Sequence, residues 1–413
     1  MQSSTQQLLI IGYVWPEPTS TGASVRMMEW VDLFLQKGWL ITYVSAAAPA
    51  EHMADLQSMG VKCKPIEVNS SSFDAFITAL QPTVVLFDRY LMEEQFGWRV
   101  EKNCPQALRV IETIDLHCLR EARHAAFKQG SSFENLDVFT ETAQREIASI
   151  YRSDVSVLIS NYEMDLLVNH FKVDASLLHV CPFMLDAAKH TDNLPNFDTR
   201  QHFMTIGNFR HAPNWDAVLW LKQSIWPLIR QQLPQAQLHI YGAYTPPKAT
   251  ALHNAKEGFL IKDRADDVNE VMQQARVCLA PLRFGAGIKT KLADAMPNGT
   301  PSVTTTIGAE GMFYGLPWGG AITDEPQTFA DAAVQLHQDS QAWAQAQEAG
   351  FTILKSVFDK KTNGENLMKK ITSTQENLAQ HRKQNFIGSM LRYHANRSTE
   401  FMSRWIEAKN SNA

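Results

Sequence analysis

Short apolar runs alternate along the chain with segments whose apolar residues recur at helical spacing. The first run, residues 7–15, closes on Gly12-Tyr13-Val14-Trp15. A loop of turn formers follows (Pro16, Pro18, Ser20, Gly22), and then Val25, Met28, Val31 and Leu35 predict a helix that Gly38 ends. Residues 39–45, 83–88, 107–115 and 153–160 repeat the strand pattern, with helical stretches between them. Such alternation predicts a parallel sheet covered on both faces. The pattern restarts after position 198. Residues 202–209, 236–242, 277–282 and 300–306 read as strands, and one amphipathic helix is expected from Asn214 to Gln232.

Two such halves suit a chain of 413 residues, which is too long for one ordinary core. The expected fold class is α/β, with two Rossmann-like, doubly wound parallel-sheet domains facing a cleft. The sequence divides into 1–188, a polar, proline-interrupted linker at 189–200, and 201–372. Residues 373–413 leave the alternation: Arg382, Lys383, Arg392, Arg397, Arg404 and Lys409 are interleaved with Phe386, Met390, Leu391, Phe401 and Trp405. One reading is a helical tail packed back on the first domain. The other is a basic amphipathic contact with a membrane surface or an anionic acceptor.

Composition narrows the function classes. Hydrophobic residues make up 45% and charged residues 20%, as in an ordinary globular protein, and the net charge of -5 argues against a nucleic-acid partner. The five cysteines are scattered and never form C-x-x-C, which fits a reducing compartment and offers neither a zinc site nor a disulfide framework. Nothing at the start resembles a signal peptide, and no apolar run approaches the ~20 residues of a spanning helix. The expected location is the cytoplasm, with at most a peripheral contact at the inner membrane face.

The chemistry concentrates in PLRFGAGIKTKLADAMPNGTPSVTTTIGAEG, residues 281–311. A strand ends at Leu282, a loop Gly285-Ala286-Gly287 follows, and a helix is expected from Ile288 to Met296. A glycine loop entering a helix presents free backbone N–H groups and the positive end of the dipole. Lys289 and Lys291 add full charges, so the segment suits a diphosphate. Asp294 would accept hydrogen bonds from ribose hydroxyls, and a second turn, Gly308-Ala309-Glu310-Gly311, would open at the same sheet edge. A P-loop is absent, and Thr290 stands where a dinucleotide fingerprint needs its third glycine.

These residues resemble the donor-binding signature of retaining glycosyltransferases of the GT-B fold, the family 4 group, in a GAGIKTK-type branch. The family's E-A-M-x-x-G-x-P-V-V run reads here Asp294-Ala295-Met296-Pro297-Asn298-Gly299-Thr300-Pro301-Ser302-Val303. GNFRHAPNWDAVLWL (207–221) is similar to the family's first donor-domain strand, turn and helix, and residues 146–167 are similar to the segment before the interdomain crossing. The family's E-x7-E pair maps to Ala286 and Asp294, and its Arg/Lys pair to Asn208 and Pro213, so three of those four side chains have lost their usual chemistry. The resemblance implies a UDP-, GDP- or dTDP-sugar as substrate rather than a cofactor, and a sugar, lipid-linked or protein acceptor. It also implies retention at the anomeric carbon, no metal, and hinge closure over the donor.

The implied donor contacts are Gly22, Asn208, Arg210, Arg283, Gly285, Ala286, Gly287, Ile288, Lys289, Lys291, Asp294 and Glu310. In the first half, Glu17, Ser20 and Arg26 are acceptor-side candidates. Asp115 and His117, at a strand end, are candidate general bases beside Lys289 and Asp294 as catalytic groups. The alternative for Asp115 is a helix cap, and for His117 a satisfied loop residue. Glu93 and Glu94 read as the solvated first turn of a helix. Trp15 is the tryptophan placed in the cleft loop; most of the others fall in helical apolar stripes. Two further functions stay open: a nucleotide-sugar-binding scaffold without turnover, motivated by Ala286, and a GT-B nucleotide-sugar epimerase.

Overall fold

In the computed structural model, which describes residues 6–133, 136–186 and 194–411, two parallel sheets carry the chain. The first comprises β1 (Gln7–Gly12), β2 (Leu40–Ser45), β3 (Lys62–Pro65), β4 (Val84–Asp88), β5 (Leu108–Glu112), β6 (Val155–Leu158) and β7 (Leu178–Val180). The second comprises β8 (His202–Ile206), β9 (Leu238–Tyr241), β10 (Phe259–Ile261), β11 (Ala275–Ala280), β12 (Ser302–Thr304) and β13 (Gly320–Ile322). Their orders, β3-β2-β1-β4-β5-β6-β7 and β10-β9-β8-β11-β12-β13, follow one plan. These are the two Rossmann-like halves that the alternation predicts. Of the expected linker, residues 189–193 lie outside the described residues.

The central strands are apolar throughout because both faces are covered. Leu8, Ile10, Val84 and Leu86 enter one core, while Leu9, Ile11, Val85 and Phe87 enter the core on the opposite face. That split is the two-residue period of a strand read directly. The first helix, Gly22–Gln36, is capped by the Thr21 side chain, which accepts from Ser24 N, and the chain leaves it through Gly38 at φ 74°.

Three expectations change. The helix expected over 214–232 is interrupted: Ala212–Trp220 passes through a π-helical turn, Leu221–Ile225, into Trp226–Gln232. Pro227 has no N–H to continue the regular ladder there. The helix expected from Ile288 to Met296 is shorter, Thr290–Ala295. Residues 360–372, assigned from sequence to the second half, pack on the first. Leu367 and Ile371 of helix Lys360–Glu376 enter the core of Leu33 and Met184.

The two crossings between the halves lie side by side. Leu185 N donates to Phe358 O at 2.8 Å, and Lys360 N donates to Leu185 O at 3.0 Å. After the second crossing the chain stays with the first half. The last helix, Phe386–Ser411, lies against helices Arg89–Asn103 and Glu141–Arg152. No helix among the described residues is long and apolar enough to cross a membrane.

Candidate active site

The strand ends of both sheets face a cleft of about 700 Å³. On the second-half side its wall is the loop after β11. Gly285 and Gly287 adopt φ 139° and 65°, where a side chain would be strained. Gly285, Ala286, Gly287, Ile288, Lys289, Lys291 and Asp294 all line the cleft, as do Asn208 and Arg210 after β8. Lys289 Nζ donates to the carbonyls of Ala286 and Gly287, and Lys291 Nζ donates to Asn214 Oδ1 at 2.9 Å. Among the described residues no carboxylate pairs with either ammonium. Burial pulls each down to about 8, so both remain largely charged at neutral pH. Burial, aided by the charge of Glu29, raises Asp294 to about 7.

Two donor-side candidates are engaged elsewhere. Arg283 pairs with Asp216 at 2.6 Å and is absent from the cleft wall. Glu310 receives both terminal nitrogens of Arg123, at 2.7 and 2.6 Å, and Arg123 also donates to Gly285 O. This pair ties the helix His117–Gln129 of the first half to the donor loop.

Three glycines of the expected site lie where the two halves meet. A Cβ on Gly22 would sit 1.9 Å from Thr290 Oγ1, one on Gly287 2.8 Å from Asp115 Cβ, and one on Gly311 2.7 Å from Ser160 Cβ. Each is a point where one half touches the other. Tyr244, whose hydroxyl donates to Glu17 at 2.8 Å, and Asn208, donating to Ser20 O at 3.4 Å, add polar contacts across the cleft.

On the first-half side Asp115 lines the cleft and His117 does not. Asp115 does not cap the next helix. Buried Glu146 does so instead, accepting N–H bonds from His117 and Cys118 at 2.8 Å, while Glu163 accepts from Leu116 N at 3.0 Å. Burial raises these two carboxyls to about 7 and about 8. Asp115 pairs with Arg120 at 2.6 Å and lies 3.7 Å from His117 Nε2. Burial would raise its pKa, but Arg120, His117 and Arg89 hold it below the usual carboxylate range. Burial drives His117 to about 4, and its ring meets Tyr90 edge-on.

Arg26 lines the cleft but is already engaged. It is buried, bonds Glu112 and Glu29, and donates to the carbonyls of Cys181 and Pro182. Glu29 in turn accepts from Met184 N. Arg26 therefore anchors the first crossing from the cleft wall, with its guanidinium held by two carboxylates and two carbonyls. Trp15 is buried too, with its Nε1 on Ala47 O. Glu93 is not solvated but paired with Arg152, whereas Glu94 bonds Arg145.

Residues 200–339 match the family model of glycosyl transferases group 1. The matched segment begins just before β8 and runs past β13, so it spans the second sheet. A relative, an uncharacterized 44.6 kDa protein in the cps region of Klebsiella pneumoniae, is 21% identical over 290 residues, or 67% of this chain and 72% of its own. Among solved structures, TarM of S. aureus aligns with TM-score 0.70 and 9% identity over 89% of this chain and 99% of its own. HepE of Anabaena, in complex with UDP and glucose, gives 0.67 and 12% over 89% and 100%. Sucrose-phosphate synthase from Thermosynechococcus elongatus gives 0.64 and 14% over 89% and 98%. The fold is GT-B, and the comparisons support a glycosyltransferase.

Within this GT-B fold the cleft gathers titratable side chains of both signs that the sequence reading passed over: Arg89, Arg120, Glu121, Arg264, Asp266 and Asp267, with His124 and His211, whose pKa values burial lowers. Arg89 follows β4 at φ 72°, and Ile114 follows β5 at φ 64°. Left-handed backbone is costly for an arginine and more so for a β-branched isoleucine. Both positions flank the cleft, where strain held by surrounding structure marks functional ground. Their only sequence signal was position, directly after a strand.

Proposed function

We propose that this chain is a glycosyltransferase that moves a sugar from a nucleotide-sugar donor to a glycan, lipid-linked or protein acceptor, with retention and without a metal. The observation that carries the reading is the convergence of Lys289 and Lys291 with the Gly285–Gly287 loop, cations in the cleft with no ion-paired carboxylate among the described residues. In the transfer, the acceptor oxygen bonds the anomeric carbon as the bond from that carbon to the diphosphate breaks. The diphosphate leaves with added negative charge, which the two ammonium groups and the loop N–H groups stabilise, and one of its oxygens takes the acceptor proton. Asp294, on the same wall, would receive ribose hydroxyls in this reading. Asp115, held by Arg120, orients the acceptor rather than deprotonating it, and His117 keeps the strand end in place from behind.

HepE is described in complex with UDP and glucose, so a UDP-sugar is the first donor to try. Five unpaired cysteines fit a cytoplasmic setting. The test is binding of UDP, GDP, dTDP and CDP by melting shift, followed by release of sugar from the matching donor. The reading requires that one nucleotide stabilise the wild type and that Lys289→Met remove both effects while melting as the wild type does. Binding without any turnover would instead support a scaffold, the reading that Ala286 and the engaged Glu310 favour. A new nucleotide sugar formed without acceptor would identify an epimerase.

A further inference from the structure

The last helix is built inside out. Its inward face is polar: Arg392 meets Glu101 at 3.3 Å, Glu400 meets Lys102 at 2.9 Å, Ser403 accepts from Arg99 at 2.9 Å, and Glu407 accepts from the Ser71 hydroxyl at 2.6 Å. Gly388 lets it approach closely, since a Cβ there would lie 2.1 Å from Tyr151 O. Its outward face is apolar. Phe386 is 69% exposed, Met390 46%, Tyr393 58%, Phe401 66%, Met402 59% and Trp405 60%. Steps of three and four residues from Phe386 through Met390, Tyr393, Arg397 and Phe401 to Trp405 keep these positions on one stripe. Nearly half of the strongly exposed large apolar side chains among the described residues sit on this one helix.

The charges sort in the same way. The helix has two acids, Glu400 and Glu407, and both are turned into contacts with the first half. The exposed cations Arg397 and Lys409 stay beside the stripe, stacked over Tyr393 at 4.5 Å and Trp405 at 5.4 Å. Polar bonds hold the helix in an orientation that burial of its own apolar face would oppose. The surface offered is aromatic, apolar and positive, the combination that lies in the headgroup region of an anionic bilayer.

We propose that the outward face of Phe386–Ser411 docks the protein on an anionic lipid surface. The occupant is an anionic bilayer rather than a second copy of this chain, because the outward face carries Arg397 and Lys409 while both acids of the helix are turned inward, so the face offers no anion to a like face. The docking is separate from the transfer reaction and does not depend on it.

The test is flotation of the full chain with vesicles of phosphatidylcholine, alone or mixed with phosphatidylglycerol. The wild type is expected to float with the mixed vesicles, and added salt should weaken this. Phe401→Ser with Trp405→Ser should lower the bound fraction by roughly tenfold or more. Arg397→Glu with Lys409→Glu should abolish the preference for anionic lipid. Both double variants change exposed side chains, so an unchanged melting temperature and unchanged nucleotide binding confirm intact folding. Failure of the wild type to float with either vesicle overturns the proposal, as does equal floating of wild type and both variants. So does a lipid-free particle of twice the 46.6 kDa chain mass that the Phe401/Trp405 variant splits, which would make a second copy the occupant.

Discussion

The two halves share a strand order but treat charge at their strand ends in opposite ways. In the first half the charged groups near the cleft are matched: Asp115 with Arg120, Arg26 with Glu29 and Glu112, Arg89 with Asp88 at 3.3 Å. In the second half Lys289 and Lys291 donate to carbonyl and amide oxygens, and among the described residues no carboxylate forms an ion pair with either, although Glu310, Glu163 and Asp115 act on Lys289 from further away. The backbone differs in step: the donor loop turns on glycines, whereas the first half holds Arg89 and Ile114 in the same left-handed region without them. A shared plan thus leaves function to a few side chains at corresponding edges.

The sharpest way to break the contrast is Arg26→Leu. It would leave Glu29 and Glu112 buried without their partner, and we expect a loss of about 3–5 kcal/mol in urea unfolding, with nucleotide affinity kept in the folded fraction. Weakened nucleotide binding at unchanged stability would return Arg26 to the site. Lys289→Met comes next. Loss of one charge-assisted contact should weaken nucleoside diphosphate binding by about 2–3 kcal/mol in calorimetry. Little change would show that the wall does not bind the diphosphate.

A titration sharpens the same point. With both lysines near 8, affinity should fall as pH rises above that value, by up to about tenfold per pH unit for each ammonium lost. The sign follows from chemistry: only the protonated form attracts the diphosphate. Lys289→Arg should flatten part of the fall, and a flat wild-type profile between pH 7 and 9.5 would contradict it. The smallest effect belongs to Arg283→Gln. Its pair with Asp216 is about a third exposed, so stability should change by less than about 1 kcal/mol and nucleotide affinity not at all.

The sheets were legible because a strand buried on both faces is apolar at every position, as Leu8–Ile11 and Val84–Phe87 are. That the loop at 285–287 would line the cleft was legible because glycines between a strand end and a helix mark the sheet edge where ligands bind. What escaped was whatever depended on distant partners. Arg26 lines the cleft as expected, but it bonds residues 86 and 155 positions away, and nothing local announces those partners. Gly22 and Gly287 read as room for phosphate, but the space beside each is filled by the opposite half. Glu310 and Arg283 sit at plausible sequence positions and are occupied by Arg123 and Asp216. The short helix after the loop and the break at Pro227 show how little a periodic apolar pattern says about where helical hydrogen bonding stops.

The adjacent crossings at Leu185 and Asp359 make the second half an insertion in the first, and that sets an order of assembly. As a ribosome delivers the chain, β1 to β7 emerge before the donor sheet, yet their core lacks Leu367, Ile371 and Leu378 until the last stretch is made. The first half is begun first and finished last. A chain halted after residue 358 would hold a whole donor sheet and an open apolar seam beside Leu33 and Met184, a natural target for a chaperone.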